Sequence, residues 1–164
     1  MNRIFVVADT HFGHTNILGF EPEHRAFSSI NVHDEALIDA WNATVNKKDT
    51  VWHLGDVLFG RESFALLPRL NGGKKLVMGN HDHYPSDRYL EHFSKLYGAA
   101  RIKDFILTHV PVHPDQFYRF KGNIHGHTHS KSLSDPRYVC VSVEQTGFKP
   151  QLLTDAIDRW RELN

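Results

Sequence analysis

The sequence predicts an α/β fold in which two mixed β-sheets are flanked by helices. Two features of the chain lead to this prediction. The first half alternates short apolar runs with amphipathic segments, whereas the second half contains apolar runs with little helix between them. Alternating strands and helices are typical of a sheet covered by helices, and a strand-rich half can supply a second sheet.

In the first half, the apolar runs that predict buried strands are Ile4–Ala8, Thr50–Leu54 and Lys75–Met78. A helix is expected from Asn31 or Asp34 to about Asn46, because its apolar residues recur on one helical face. A second helix over Glu62–Leu70 would be interrupted by Pro68. The third helix would be capped by Ser86, would include Leu96 and Tyr97, and would stop at Gly98.

The second half contains three expected strands and a closing helix. The strands are Asp104–Thr108, Gly122–His125 and Tyr138–Val143, and the amphipathic helix is marked by Ala156, Ile157, Trp160 and Leu163. The chain shows no repeat, low-complexity stretch or linker, so a single domain over residues 1–164 is expected.

Composition limits the classes of function. Nineteen basic and nineteen acidic residues give a formal net charge of zero, which provides no global field for nucleic acid or an anionic membrane. Cys140 is the single cysteine, so no intrachain disulfide can form, and its apolar surroundings predict a packed strand residue. The chain starts directly with a strand and has no membrane-length apolar run, which makes a cytoplasmic location the expectation.

Histidine is the compositional outlier, with thirteen residues spread along the chain. Neutral imidazole is a frequent ligand of transition metals and titrates near neutral pH. Not every histidine needs such a role. His24, His33 and His92 are interpreted as surface residues, whereas His53 and His125 are expected to be packed inside strands.

Five short polar segments each follow an apolar run, and they hold most of the candidate functional residues. In open α/β sheets, ligands bind at the carboxyl ends of the strands, so these segments are expected to converge. Their donor atoms are nitrogen and oxygen without thiolate, which disfavours a structural zinc site or an iron–sulfur cluster. The segments are Asp9-Thr10-His11, Gly55-Asp56, Gly79-Asn80-His81-Asp82, Thr108-His109 and Gly126-His127-Thr128-His129.

This ordered set of motifs, which extends from Asp9 to His129, resembles the calcineurin-like metallophosphoesterases. The longer opening motif Asp9–Ile17, of the form DTHFGHxNI, is similar to a compact bacterial and phage subgroup of that superfamily. The resemblance implies a four-layer α/β/β/α sandwich, in agreement with the strand and helix pattern.

The resemblance also implies a site with two divalent metal ions. One ion would be bound by Asp9, His11, Asp56 and His129, and the other by Asp56, Asn80, His109 and His127. The carboxylate of Asp56 would bridge the two ions. His81 would stabilise the transition state or protonate the leaving oxygen, and Asp82 would orient the His81 ring. Manganese is the first candidate metal, with Fe, Zn, Ni or Co as alternatives.

The implied reaction is hydrolysis of a small phosphodiester or phosphomonoester by attack of a metal-bridging hydroxide. A nucleotide-like ester is one candidate substrate. A nuclease or RNA-end-processing phosphoesterase is an alternative, although the neutral composition gives it little support. The other alternative is a non-catalytic interaction scaffold with the same fold, as in a retromer subunit. After Gly55-Asp56 the chain lacks the acidic or arginine residue of protein phosphatases and has no room for a cap domain. The expected partner is therefore a small phosphate ester. The oligomeric state is not predicted.

Several residues near these motifs have two interpretations. His14 could line the site or make a loop hydrogen bond, and His113 could contact substrate or stabilise its loop. The basic residues expected at the solvated surface, with a second phosphate as the alternative, are Arg25, Arg61, Arg119 and Lys121. The aromatic residues that could stack on a base, or else pack on the scaffold, are Phe12, Phe117, Tyr118 and Phe120.

Overall fold

The computed structural model describes residues 2–163, which form nine strands arranged in two sheets. The strands of the first sheet are β1 (Ile4–Val7), β2 (Thr50–His53), β3 (Gly73–Val77), β4 (Leu96–Tyr97) and β9 (Gln151–Leu152). Their spatial order is β4-β3-β2-β1-β9. All neighbours in this sheet pair in parallel except β9, which is antiparallel to β1.

The second sheet has four strands in the order β5-β6-β7-β8. They are β5 (Ala100–Ile102), β6 (Phe105–Leu107), β7 (Gly122–His125) and β8 (Tyr138–Cys140). The β6, β7 and β8 strands are parallel, whereas β5 is antiparallel to β6. Both sheets are thus mixed, as the sequence predicts.

Helices connect and flank these sheets. The α-helices are α1 (Ile17–Phe20), α2 (Ile30–Thr44), α3 (Ser86–Leu90) and α4 (Leu153–Leu163), and 3₁₀ helices cover Arg61–Arg69 and Pro114–Tyr118. The α2 helix begins at Ile30 because Ser29 caps it by accepting a hydrogen bond from the amide of Val32. Residues 61–69 form a 3₁₀ helix that contains Pro68, where the sequence predicted an interrupted helix.

The core is divided between the two faces of the first sheet. Along β1, Phe5 and Val7 belong to the cluster that includes Leu37 and Trp41 of α2. The alternate residue Val6 belongs to a second cluster, which contains residues of both sheets and of α4. This alternation is the period of a strand buried on both faces. The predicted α/β fold with two mixed sheets flanked by helices is confirmed.

The segment after Ser86 differs from its prediction. The α3 helix ends at Leu90, and Leu96–Tyr97 forms the edge strand β4 beside β3. The amide of Met78 donates to the carbonyl of Tyr97, so this segment completes the sheet instead of extending the helix. Short apolar runs fit both helix and strand periodicity, and tertiary pairing decides between them. The strands β5 and β9 were not expected from the sequence.

The parallel strands carry the polar segments to one edge of the molecule. The amide of Asp9 donates to the carbonyl of Gly55, which joins the ends of β1 and β2. The amide of Ala8 donates to the carbonyl of Val141, so the first sheet meets the end of the second at the same edge. Cys140 is buried in β8, as expected. Within residues 2–163, the helices all fall short of the length and apolar character needed to cross a bilayer.

Candidate metal centre

Five of the seven predicted metal ligands have a strained backbone conformation. Seven non-glycine residues within positions 2–163 have a positive φ angle, and five of them belong to the predicted ligand set. Side chains other than glycine rarely adopt this left-handed conformation, and when they do they cluster at functional sites. The five residues are Asp9 (59°), His11 (50°), Asp56 (55°), His127 (70°) and His129 (51°).

Asp9 lies at the centre of the site and is fully buried. Its Oδ2 atom accepts hydrogen bonds from the His127 amide at 2.9 Å and from the Ser142 hydroxyl at 2.6 Å. Its Oδ1 atom has no hydrogen-bond partner, and neither has the Nε2 atom of His11, 3.9 Å away. Buried polar atoms are nearly always paired, so these two adjacent atoms without a partner fit a position that could hold a metal ion.

Asp56 stands between the two halves of the predicted centre. Its Oδ1 atom accepts a hydrogen bond from the amide of His81 at 2.9 Å. Its Oδ2 atom lies 3.7 Å from His11 Nε2 and 3.3 Å from His109 Nε2. One carboxylate oxygen therefore approaches residues of both predicted metal positions.

The predicted ligands of the second ion also converge. The side-chain oxygen of Asn80 lies 2.9 Å from His109 Nε2 and 3.0 Å from His127 Nδ1. The other ring nitrogen of His109 donates to the carbonyl of Leu54, so Nε2 is the atom directed at the site. Asn80 and His127 are exposed, which leaves this side of the centre open to solvent.

The seven predicted ligands thus lie together, and the donor set fits divalent metal ions. Ligand atoms of Asp9, His11 and His129 lie within 4.8 Å of one another, as do those of Asp9, Asp56 and His109. The donors are carboxylate oxygen and imidazole nitrogen, with Asn80 adding an amide oxygen. Asp9 belongs to both of these groups, and Asp56 lies near ligands of both predicted metal positions. The two carboxylates therefore lie between the two predicted positions.

The electrostatics follow from burial and charge. Burial disfavours the charged form of His109, but its hydrogen bond to Asp56 and the charges of Asp9 and Asp56 outweigh this and raise its pKa to about 9. Burial likewise works against ionisation of Asp9, yet the adjacent ring of His11 and the nearby imidazoles of His109 and His129 hold its pKa well below the ordinary value. In metal-free protein, the proton on His109 offsets part of the carboxylate charge.

Metal binding at pH 7.5 is therefore expected to release at least one proton. Because the pKa of His109 is raised to about 9, the metal-free ring is protonated below that pH and must lose the proton before Nε2 can bind a metal. Titration calorimetry with Mn²⁺ in HEPES and in Tris would measure the release from the difference in heats. His24→Asn, which alters an exposed histidine, should leave it unchanged. Equal heats after correction for metal–buffer binding would contradict the prediction.

The two predicted catalytic residues have different environments. His81 is half-exposed, and its Nε2 atom lies 4.0 Å from Asp56 Oδ2 at the open side of the centre. Asp82 is buried, and its carboxylate makes hydrogen bonds to the backbone. Its carboxylate accepts from the amides of Asp56, Val57 and Gly79, all at 2.8–2.9 Å. Asp82 thus ties the ends of β2 and β3 together, and its role in orienting the His81 ring stays a prediction.

Arg25 and His33 differ from their expected surface positions. Both are fully buried, and they hydrogen-bond to each other at 2.9 Å behind the Asp9 loop. Glu144, which sequence reasoning did not single out, accepts from His129 Nδ1 at 3.0 Å. For His33 a signal was present, because it shares a helical face with Leu37 four residues later. For Arg25 and Glu144 we find no local pattern that could have identified them.

The structure decides between the two interpretations of most of the remaining candidate residues. His14 Nδ1 lies 3.0 Å from His11 Nδ1, which is the loop hydrogen bond, and its ring stacks on Phe59. His113 is exposed and accepts from the amide of Asp115, so it stabilises its own loop. Phe12 is fully buried in the core and cannot stack on a base. His53 and His125 are buried as expected.

The aromatic and basic segment at residues 116–121 lies away from the predicted ligands. It precedes β7 and therefore lies at the amino end of that strand, whereas His127 follows the carboxyl end. Tyr118 is three-quarters exposed, and Arg61, Arg119 and Lys121 are exposed, as expected for surface residues. The base-stacking interpretation of this segment is not supported at the candidate centre.

Comparisons with known proteins identify relatives whose names state no activity. The uncharacterized protein MJ1445 of Methanocaldococcus jannaschii is 32% identical over 165 residues, covering 92% of this chain and 86% of that protein. The chain belongs to the family of this archaeal protein. The gene 66 protein of Mycobacterium phage L5 is 30% identical over 169 residues, covering 81% of this chain and 80% of the phage protein. No protein-family model matches the chain.

One solved structure agrees with the fold. A protein of unknown function from Aquifex aeolicus, AQ665, aligns with a TM-score of 0.76 and 25% identity, over 97% of this chain and 99% of its own. A predicted phosphoesterase from Streptococcus pneumoniae aligns with a TM-score of only 0.40 and 18% identity, over 86% of this chain and 71% of its own. The second similarity is too low to support an argument about function, which must come from the geometry of the site.

Proposed function

We propose that this chain is a metal-dependent phosphoric ester hydrolase that acts on a small phosphodiester or phosphomonoester. The observation that carries the proposal is the pair of buried, unpaired atoms Asp9 Oδ1 and His11 Nε2, which face the Asp56 carboxylate. Atoms of this kind are costly to bury without a partner, and a divalent cation would satisfy both.

Two groups of residues would hold two ions. Asp9, His11, Asp56 and His129 would hold one ion, and Asp56, Asn80, His109 and His127 would hold the other. When bound, such ions stabilise the charge of a phosphoryl group and lower the pKa of water.

The charge of the site favours a phosphate ester. Two divalent ions would bring a charge of +4, and the carboxylates of Asp9 and Asp56 bring −2, which leaves about +2 in a site otherwise lined by imidazoles and an amide. An oxyanion would therefore be attracted locally even though the formal net charge of the chain is zero.

His81 is suited to donate a proton to the leaving group. Its ring lies beside Phe59, with 5.0 Å between the ring centroids, and it is half-exposed at the open side of the ligands. A ring held at this position can reach a substrate oxygen while its amide remains bonded to Asp56. The exposure of Asn80 and His127 on the same side would admit a small ester directly from solvent.

The first test of this function is hydrolysis of two chromogenic esters. Metal-stripped protein would be reconstituted with Mn²⁺ and assayed with bis-p-nitrophenyl phosphate and with p-nitrophenyl phosphate. Preference for the diester would direct the substrate search to cyclic or linear nucleotides, and preference for the monoester to sugar and nucleotide monophosphates. Binding of two Mn²⁺ without turnover of either ester or of a panel of nucleotide and sugar phosphates would contradict hydrolysis and favour a scaffold.

Metal should also stabilise the fold. A ligand that binds only the folded state adds about 2.7 kcal/mol at 100 times its Kd, which corresponds to a rise in Tm of roughly 5–10 °C for a chain of this size. Differential scanning calorimetry with EDTA and with Mn²⁺ measures this shift. A Tm that Mn²⁺ leaves unchanged would argue against a folded-state metal centre.

A further inference from the structure

We propose that Arg25 and Glu144 are positioning residues that prepare His129 and the Asp9 loop for metal binding. Both side chains are completely buried behind the predicted ligands and form an ion pair at 2.6 Å. The inference rests on the metal-binding part of the proposed function, and it assigns a role to two residues that are not themselves predicted ligands.

Glu144 determines which nitrogen of His129 is available to a metal. Its Oε1 atom lies 3.0 Å from His129 Nδ1 and also accepts from Arg25 Nε at 2.7 Å. An ionised carboxylate can only accept hydrogen bonds, so the proton of the neutral ring must lie on Nδ1. The lone pair is then on Nε2, the atom that faces Asp9 Oδ1 at 4.0 Å. A carboxylate bonded to the far nitrogen is a common way to orient a metal-binding histidine and raise its basicity.

Arg25 holds the strained backbone of the first ligand segment. Its Nη2 atom donates to the carbonyl of Asp9 at 2.5 Å, and its Nη1 atom donates to the carbonyl of Thr10 at 3.2 Å. Asp9 and His11 on either side of Thr10 both have left-handed φ angles. Such conformations persist only where surrounding contacts fix them, and this guanidinium supplies two of those contacts.

The same network continues to helix α2 and returns to the loop. Arginine has only donors, so His33 Nε2 must accept from Arg25 Nη1, and the proton of His33 lies on Nδ1. That proton is donated to Asp34 Oδ1 at 2.8 Å, while Asp34 Oδ2 accepts from the amide of Gly13 at 2.9 Å. Residues 9–13 are therefore held from both ends by one continuous set of hydrogen bonds.

A double variant can distinguish an effect on metal binding from a general loss of stability. Removing one charge would leave the other buried and unpaired, which by itself destabilises a protein, whereas replacing both by apolar residues of similar size is often tolerated. We therefore choose Arg25→Met with Glu144→Leu. The matched control is Arg69→Met with Glu35→Leu, an ion pair at 2.6 Å whose side chains are about half-exposed.

Two measurements apply to the purified, folded proteins. Calorimetric titration with Mn²⁺ is expected to show a 10–100-fold loss of affinity in the double variant and wild-type affinity in the control. In metal-free protein, long-range ¹H–¹⁵N correlation spectra are expected to show the His129 proton on Nδ1 in the wild type, and its loss from Nδ1 in the double variant. Wild-type affinity and an unchanged tautomer in the folded double variant would overturn the inference.

Glu144→Gln is the second variant if the double variant does not fold, because its amide oxygen keeps the hydrogen bonds to Arg25 and His129 and only the charge is lost. The amide oxygen can still accept from His129 Nδ1, so the tautomer should be retained, but the lost charge should weaken Mn²⁺ binding about tenfold. Unchanged Mn²⁺ affinity in this variant would refute the role of Glu144. If wild-type protein bound no Mn²⁺, the proposed function would fail, while the tautomer measurement would still decide whether Glu144 directs His129.

Discussion

Replacing Asp56 with asparagine is expected to abolish binding of at least one metal ion and to lower kcat/KM about 10³-fold. The carboxylate is nearly fully buried, and its Oδ2 atom approaches His11 and His109 at 3.7 Å and 3.3 Å. Asparagine keeps the shape but removes the negative charge on which both positions depend. A loss of about 4 kcal/mol in transition-state stabilisation corresponds to this factor. Metal content by mass spectrometry and steady-state hydrolysis of the preferred p-nitrophenyl ester measure the two effects.

The control is Asp39→Asn, which alters an exposed carboxylate on α2. It should bind two ions and hydrolyse the ester at the wild-type rate. The Asp56→Asn variant should also lower the pKa of His109 in metal-free protein, since its bond to Asp56 opposes the effect of burial. Full metal content and activity in Asp56→Asn would remove Asp56 from the centre.

Replacing His81 with alanine is expected to lower kcat by 10²–10⁴-fold while two metal ions remain bound, where the range is an order-of-magnitude value for general acid catalysis. The side chain is half-exposed, so truncation leaves no large cavity, and the hydrogen bond from His81 to Asp56 is made by the backbone amide, which alanine retains. Metal titration and steady-state kinetics separate binding from turnover.

The role of His81 as an acid can be tested through the leaving group. A phenyl or alkyl leaving group needs a proton more than p-nitrophenolate does, so the loss in His81→Ala should be larger for those esters. His83→Ala changes an exposed histidine in the same loop, stacked on Tyr84, and should behave as wild type. An equal loss for all leaving groups would instead favour transition-state stabilisation by the ring.

Local sequence patterns were sufficient to predict where the candidate ligands gather. Asp9, Asp56 and Asn80 follow β1, β2 and β3, and parallel strands bring their carboxyl ends to one edge. Short apolar runs identified those strands because they are buried on both faces. The ligand roles themselves stay predictions until metal is measured.

The supporting residues could not be predicted in the same way. Arg25 meets Glu144 across 119 positions of the chain, and Asp82 contacts the backbone of Asp56 and Val57 from another strand end. Such contacts depend on tertiary packing and leave no periodic or local signal. The error at Leu96–Tyr97 has the same origin, since a free sheet edge recruited a segment that also fits a helix.

The division of the candidate centre between two sheets has a consequence for biosynthesis. Asp9, Asp56 and Asn80 follow strands of the first sheet, whereas His109, His127 and His129 follow strands of the second. A nascent chain that has not yet exposed residue 129 would lack part of both ligand groups. Metal would then be captured only after the two sheets have docked, so Mn²⁺ affinity would report on the docking of the sheets.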